Sequence, residues 1–192
     1  MPKYPVRRSP LRVRILDWDV ENRPSTYWYE GQTTAEITAI ACCWAHDSSS
    51  MKCWLLGKDK PQKMLKEFVK RYDEADMVTG HHVRRHDLPL VNAALIEYGM
   101  EPLSPKVVCD TKNDLIGFKD MSKSQENLAA MFGIEAPKVQ MNQVKWREAN
   151  RLTKPGLVLT AERVCGDVNQ HMALRLELVR RGLLNPPRVW EG

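Results

Sequence analysis

No apolar run in the 192 residues approaches the length of a membrane span, which excludes a helical integral membrane protein. The Arg-rich start (Lys3, Arg7, Arg8, Arg12, Arg14) is not followed by the apolar core of a secretory signal. The chain is therefore expected to stay in the compartment where it is made, the cytoplasm. Cysteine is sparse and odd in number: Cys42, Cys43, Cys53, Cys109 and Cys165, without a C-x-x-C pair. This argues against a disulfide framework or a zinc knuckle and for reduced thiols, most of them in the core. No repeat and no low-complexity linker interrupts the sequence, and its length suits one domain large enough to bury a real core.

What is present describes an ordinary globular chain, 43% hydrophobic and 28% charged. The net charge of +5, with a pI near 9.0, favours a polyanionic partner without establishing one. Lys and Arg are spread along the chain, with local clusters at Arg84–Arg85 and Arg180–Arg181.

Hydrophobic period divides the chain into three parts. Val13 to Val20 alternates as a strand, with Val13, Ile15, Asp17 and Asp19 on one face and Leu16, Trp18 and Val20 on the other. Thr34–Trp44 and Met51–Leu56 follow as strands around the polar turn Asp47-Ser48-Ser49-Ser50, giving an antiparallel opening meander. The spacing then predicts a helix after Asp59-Lys60-Pro61, a short strand Met77–Thr79, a helix from Asp87-Leu88-Pro89 to Gly99, and a strand Val107–Cys109. The last part reads as helical. Ser122-Lys123-Ser124-Gln125 has capping-box spacing, Asn142–Leu152 is a weaker helix, and Thr160–Arg181 is long, with Val164, Val168, Met172, Leu176 and Val179 inward. The expected fold class is α/β, a mixed sheet flanked by helices.

The informative segment is Leu16-Asp17-Trp18-Asp19-Val20-Glu21. A carboxylate within an apolar strand is costly to bury unless it is paired or bound to a metal. Asp19 and Glu21, two apart, project side by side, and their repulsion calls for a cation; hard divalent ions prefer such oxygen ligands. A bare D-x-E is more often a strand edge running into a polar turn, here Asn22-Arg23-Pro24. Two further acids stand where a site can recruit them: Asp87 opening a helix, and Asp167 within the long last helix. Asp87 alone reads as an N-cap, whereas Asp is a poor mid-helix residue and Asp167 needs another reason.

In this order the sequence resembles the DEDD 3′→5′ exonuclease superfamily, whose fold is RNase H-like. The first motif matches at Asp19-Val20-Glu21 and the second at Gly80-His81-His82-Val83-Arg84-Arg85-His86-Asp87-Leu88-Pro89. The third matches at Gly166-Asp167-Val168. Cys109-Asp110-Thr111 and Ser124-Gln125-Glu126-Asn127-Leu128-Ala129 are similar to linking elements of the exonucleases related to family B polymerase proofreading domains. The resemblance spans about 13–182, leaving a basic N-terminal and a short C-terminal tail within one domain of 1–192. It implies that Asp19, Glu21, Asp87 and Asp167 are the catalytic carboxylates. They would hold two Mg2+ or Mn2+ ions, one activating a water and the other stabilising the leaving 3′-oxygen.

The third motif departs from the family, which places a Tyr or His one turn before the final Asp to handle the attacking water. Here Arg163 stands four residues before Asp167. Arginine cannot act as a base near neutral pH, although it can pair with Asp167 at i,i+4 or contact a phosphate. His82 and His86, where relatives often carry Asn and Phe, are candidate substitute bases, against the blander account of solvated loop histidines. Trp28 and Tyr29 are candidates for base stacking, and Arg84 and Arg85 for contacts to the substrate backbone. The expected activity is trimming of single-stranded DNA 3′ ends. The rivals are RNA trimming and a nucleic-acid-binding module with weak or lost catalysis. The sequence carries no polymerase or helicase motif, so any proofreading would serve replication or repair proteins in trans.

Overall fold

The computed structural model describes residues 13–25, 34–117, 119–136 and 138–192. Three strands open the fold: β1 (Ile15–Ser25), β2 (Thr34–Trp44) and β3 (Asp47–Leu55), paired antiparallel in sequence order. β1 does not stop at Val20. After a register shift between Glu21 and Asn22 it continues to Ser25, with Asn22 opposite Ile37 and Arg23 opposite Glu36. A cross-strand ion pair of 2.8 Å between Arg23 and Glu36 supports that extension. The serine run read as a turn belongs to β3, and the hairpin turns at Ala45–His46 instead. The hydroxyls serve the backbone there: Trp44 N–H donates to Ser50 Oγ (2.9 Å), and Ser49 N–H to Asp47 Oδ1 (3.0 Å).

Next come α1 (Pro61–Glu74), β4 (Met77–Gly80), α2 (Asp87–Glu97) and β5 (Lys106–Asp110), an alternation that makes β1, β4 and β5 parallel neighbours. Helices α3 (Gln125–Met131), α4 (Gln143–Asn150) and α5 (Lys154–Arg180) follow. Ser124, the later of the two serines in the expected capping box, is the cap of α3, its hydroxyl accepting from Asn127 N–H at 3.2 Å. A last strand, β6 (Arg188–Trp190), completes a mixed six-stranded sheet in the order β3-β2-β1-β4-β5-β6. The chain past Gly182, expected as a tail, is thus part of the fold: Leu183 and Leu184 join an apolar cluster, and β6 pairs antiparallel with β5. Among the described residues, no helix is long and apolar enough to cross a membrane.

Two layers cover the sheet. Leu16, Trp18 and Val20 of β1 and Ile40 and Cys42 of β2 face α1 and α2, burying Phe68, Tyr72, Leu88, Val91 and Leu95 in the main core. Ala39, Ala41 and Cys43 of β2 face α5, meeting Val164 and Val168. The small side chains on this second face let the helix lie close to the sheet.

Helix α5 begins six residues before its expected start, capped by Thr153 with Pro155 in its first turn. Its inward stripe also differs from the expected one. Val164 and Val168 are buried and Met172 packs against the same cluster, but Leu176 and Val179 are more than half exposed. The buried residues of the last turns are Leu174, Arg175 and Leu178. The helix changes neighbours along its length, from β2 and β3 to β1 and α3, and the buried face turns with them. Gly156 marks where α4 and α5 press together, since a Cβ there would collide with the Glu148 carbonyl oxygen.

Candidate metal centre

Strand β1 outlasts its parallel neighbour. Asp17 lies opposite Thr79 near the end of β4, which stops at Gly80, so beyond that point Asp19, Val20 and Glu21 have a strand partner only on the β2 side. The open edge is the carboxyl end of the parallel strands, where open α/β sheets place their ligands. Loop 81–86 crosses it closely: a Cβ on Gly80 would lie 2.9 Å from Val83 Cβ and 3.0 Å from the Trp18 carbonyl oxygen. That loop delivers Asp87, the first residue of α2, whose Oδ1 accepts from the unpaired Val20 N–H at 3.4 Å. Asp87 is nearly inaccessible, and the N-cap it reads as when taken alone is instead His86.

From the other layer, α5 presents Asp167 to the face of β1 that carries Asp19 and Glu21. One oxygen from each of these three carboxylates lies within 4.8 Å of the others. The structure thus brings together three of the four acids singled out in the sequence, from β1 and α5, while Asp87 of α2 lies near enough for its charge to act on Asp19. Their electrostatics record the crowding. Burial, then the charges of Asp87, Asp167 and Glu21, hold the Asp19 carboxyl well above its ordinary range. Glu21 is pushed up to about 7 by burial and by Asp167. Burial raises Asp87 to about 8 despite the hydrogen bond from Val20. Among the described residues, no hydrogen bond or ion pair reaches the Asp19 carboxylate. The donor set, all carboxylate oxygen and short of compensating charge, fits a hard divalent cation.

Two basic residues reach the cluster. Arg163 Nε lies 2.8 Å from Asp167 Oδ2 and 3.3 Å from Glu21 Oε1, with Nη1 donating to the Val139 carbonyl at 3.1 Å. The i,i+4 pairing anticipated for Arg163 is therefore made, and it extends across to β1. Lys138, from the segment between α3 and α4, places Nζ 2.6 Å from Asp167 Oδ1 and 2.5 Å from Glu126 Oε1. These cations partly offset the burial that raises Asp167. Lys138 has no sequence signal, lying in a stretch without periodicity. Glu126 stands inside a segment noted only for its likeness to a linking element.

Other noted residues build the frame. Asp110 accepts from the backbone N–H groups of His82 (3.0 Å), Arg84 (3.0 Å), Lys112 (3.0 Å) and Asn113 (2.9 Å), and these bonds keep its pKa low in spite of burial. It fixes the loop that ends at Asp87, including the left-handed His82 (φ 76°). Arg84 is committed to the same frame, 2.6 Å from Asp114 Oδ1. His81 bridges Thr111 Oγ1 (3.0 Å) and the Lys123 carbonyl (2.9 Å), its pKa lowered to about 4 chiefly by burial. Gln125 donates to the Asp167 carbonyl at 2.9 Å and so ties α3 to α5.

His82 Nδ1 lies 3.4 Å from Asn113 Nδ2, and His86 is exposed at the head of α2 beside the exposed Arg85. Trp28 and Tyr29 lie outside the described residues. Trp18 is core, its ring 4.7 Å from that of Phe68.

No protein family matches the chain at the level of sequence, and no curated protein does. Solved structures do resemble it. The family B DNA polymerase from the hyperthermophilic archaeon Pyrobaculum calidifontis superposes with a TM-score of 0.66 at 17% identity, over 87% of this chain and 24% of that one. Phi29 DNA polymerase complexed with primer-template DNA gives 0.51 at 12% identity, over 91% of this chain and 32% of that one. The chain thus spans between about a quarter and a third of those polymerases, and at such identities the likeness is one of fold. The mixed six-stranded sheet flanked by helices is an RNase H-like fold, shared with a segment of these two DNA polymerases.

Proposed function

We propose that this chain is a metal-dependent 3′→5′ exonuclease acting on single-stranded DNA ends, with Asp19, Glu21, Asp87 and Asp167 as ligands of Mg2+ or Mn2+. One observation carries the reading: carboxylates from β1, α2 and α5 are buried against one another, and Asp19 has no partner among the described residues. Such repulsion is a poor way to stabilise a fold and a good way to hold a cation. When bound, divalent ions supply an activated water and a counter-charge for the leaving oxygen. The likeness to DNA polymerases supports a nucleic-acid substrate.

The chain's own groups divide the remaining work. The frame of Asp110, Arg84 and Asp114 holds Asp87 against Val20. Arg85, exposed beside Asp87, is the candidate for contact with a substrate phosphate, and Trp28 and Tyr29 remain candidates for stacking. Arg163 can accept no proton, so His86 or His82 is the candidate to take one from the attacking water. If the His86→Ala and His82→Ala variants keep the wild-type pH–rate profile, neither serves.

The test is a nuclease assay on matched DNA and RNA strands labelled at either end, with Mg2+ or Mn2+. DNA should shorten from its 3′ end, and Asp19→Ala should lower turnover about a hundredfold or more while the protein stays folded. Full activity of that variant, or in excess EDTA, sinks the proposal. A strong preference for RNA moves it to RNA trimming. Binding without cleavage favours the accessory module, for which the ion pairs of Arg163 and Lys138 across the acids are the specific support.

A further inference from the structure

Arg163 does more than replace an expected side chain. Its Nε sits between two of the three clustered carboxylates, 3.3 Å from Glu21 Oε1 and 2.8 Å from Asp167 Oδ2. That is the place a cation shared by Glu21 and Asp167 would take. The guanidinium is anchored there: Nη1 donates to the Val139 carbonyl at 3.1 Å, Nη2 lies 3.8 Å from Glu126, and the side chain is only 16% exposed. Lys138, with its side chain 3% exposed, occupies the other oxygen of Asp167 at 2.6 Å. Both oxygens of Asp167 therefore already face a positive charge, whereas among the described residues neither Asp19 nor Asp87 forms an ion pair.

Resting on the reading of this site as a metal centre, we infer that the chain binds one divalent cation where four carboxylates would suggest two. The ion belongs at Asp19, and the Arg163 guanidinium stands permanently in place of the second. A second ion entering between Glu21 and Asp167 would meet a fixed positive charge at contact distance, with twice the repulsion of two unit charges. Arginine never releases its proton in this range, so no change of pH clears the place. The fold holds the arrangement from both sides, because Arg163 and Asp167 lie one turn apart on α5 while Glu21 comes from β1.

The experiment counts Mn2+ on the whole chain without nucleic acid, by calorimetric titration together with electron paramagnetic resonance. Two ions sharing carboxylates at about 3.5–4 Å are magnetically coupled, whereas a single ion gives an isolated six-line spectrum. The expected result is one uncoupled Mn2+ per wild-type chain and two coupled ions in Arg163→Met, which keeps the aliphatic stem and removes the charge. Arg163→Lys and Lys138→Met should both remain at one. Two coupled ions in the wild type overturn the inference and leave the nuclease reading standing, as does a single ion in a folded Arg163→Met. Two ions in Lys138→Met overturn the assignment to Arg163. The wild-type count needs no variant to fold. No bound Mn2+ in the wild type overturns the metal-centre reading itself, and this inference with it.

Discussion

Asp87 shows what a single side chain contributes and what it costs. Its carboxyl satisfies the backbone N–H of Val20, which no strand pairs, yet its ionised form is buried beside other acids. Because its pKa in the folded chain is about 8, and that of Glu21 about 7, both above ordinary carboxyl values, the folded state holds these protons more tightly than the unfolded one. Stability from this source is therefore fullest at acidic pH, and it falls as pH rises through those two values. Metal-free Asp87→Asn, whose amide oxygen can still accept from Val20, should be more stable than the wild type at pH 8 by about 2 kcal/mol or more. The advantage should shrink towards pH 5, and Mg2+ should stabilise the wild type more than the variant. Thermal melting across pH, with and without Mg2+, checks all three. A variant no more stable than the wild type at pH 8 would show that the repulsion is relieved in some other way.

At the scale of elements, the pairing of α5 with β1 sets the geometry, since it alone brings Asp167 to Asp19 and Glu21. Two residues before Asp19 on the same face of β1, Asp17 is fully buried and takes Arg175 bidentately, Nε and Nη2 at 2.8 and 2.9 Å. His171 Nδ1 lies 3.1 Å from the same carboxylate. Opposed by burial, these contacts still hold the Asp17 pKa below its usual value, the opposite of its neighbours Asp19 and Glu21. The pair is a tie 158 residues apart in sequence, and its contribution is present above the ordinary carboxyl pKa and lost as pH falls through the depressed value. Arg175→Met leaves Asp17 buried with only His171 beside it, and should cost about 3–5 kcal/mol in denaturant unfolding. A loss within experimental error would mean that the helix is held by its apolar contacts alone.

For the whole molecule, the relevant quantity is a net charge of +5 carried by a chain whose candidate centre is acidic. On the proposed function, the positive charge of the rest of the chain would draw a polyanion towards acids that it would otherwise avoid. Binding of a short single-stranded DNA in Ca2+ should therefore weaken steeply as salt rises from 50 to 200 mM, by roughly tenfold or more if several phosphates are neutralised. A fluorescence anisotropy titration measures this directly. An affinity indifferent to salt would remove electrostatic attraction from the account.

The sequence by itself determined the alternation of β1, with the acids on one face and Leu16, Trp18 and Val20 on the other, because a strand's period of two leaves no freedom. It also carried β2, α1 and α2 close to their observed bounds, where apolar period and local stop signals agree. Asp19 and Glu21 drew notice as carboxylates in an apolar strand and Asp167 as an acid within a helix, but it was the order of the motifs in the family resemblance that joined them with Asp87. Only the tertiary structure decided what neutralises them. Lys138 lies in a segment with no periodic signal and reaches Asp167 through the path of the chain alone. The buried face of α5 followed its changing neighbours, exposing Leu176 and Val179 in favour of Leu174 and Leu178. Asp17 and Asp19, two residues apart on the same face, received opposite fates because one is paired with Arg175, whereas around the other the charges of three acids outweigh that of Arg163. Local pattern fixes which way a side chain points; the charge waiting for it there comes from parts of the chain far away in sequence.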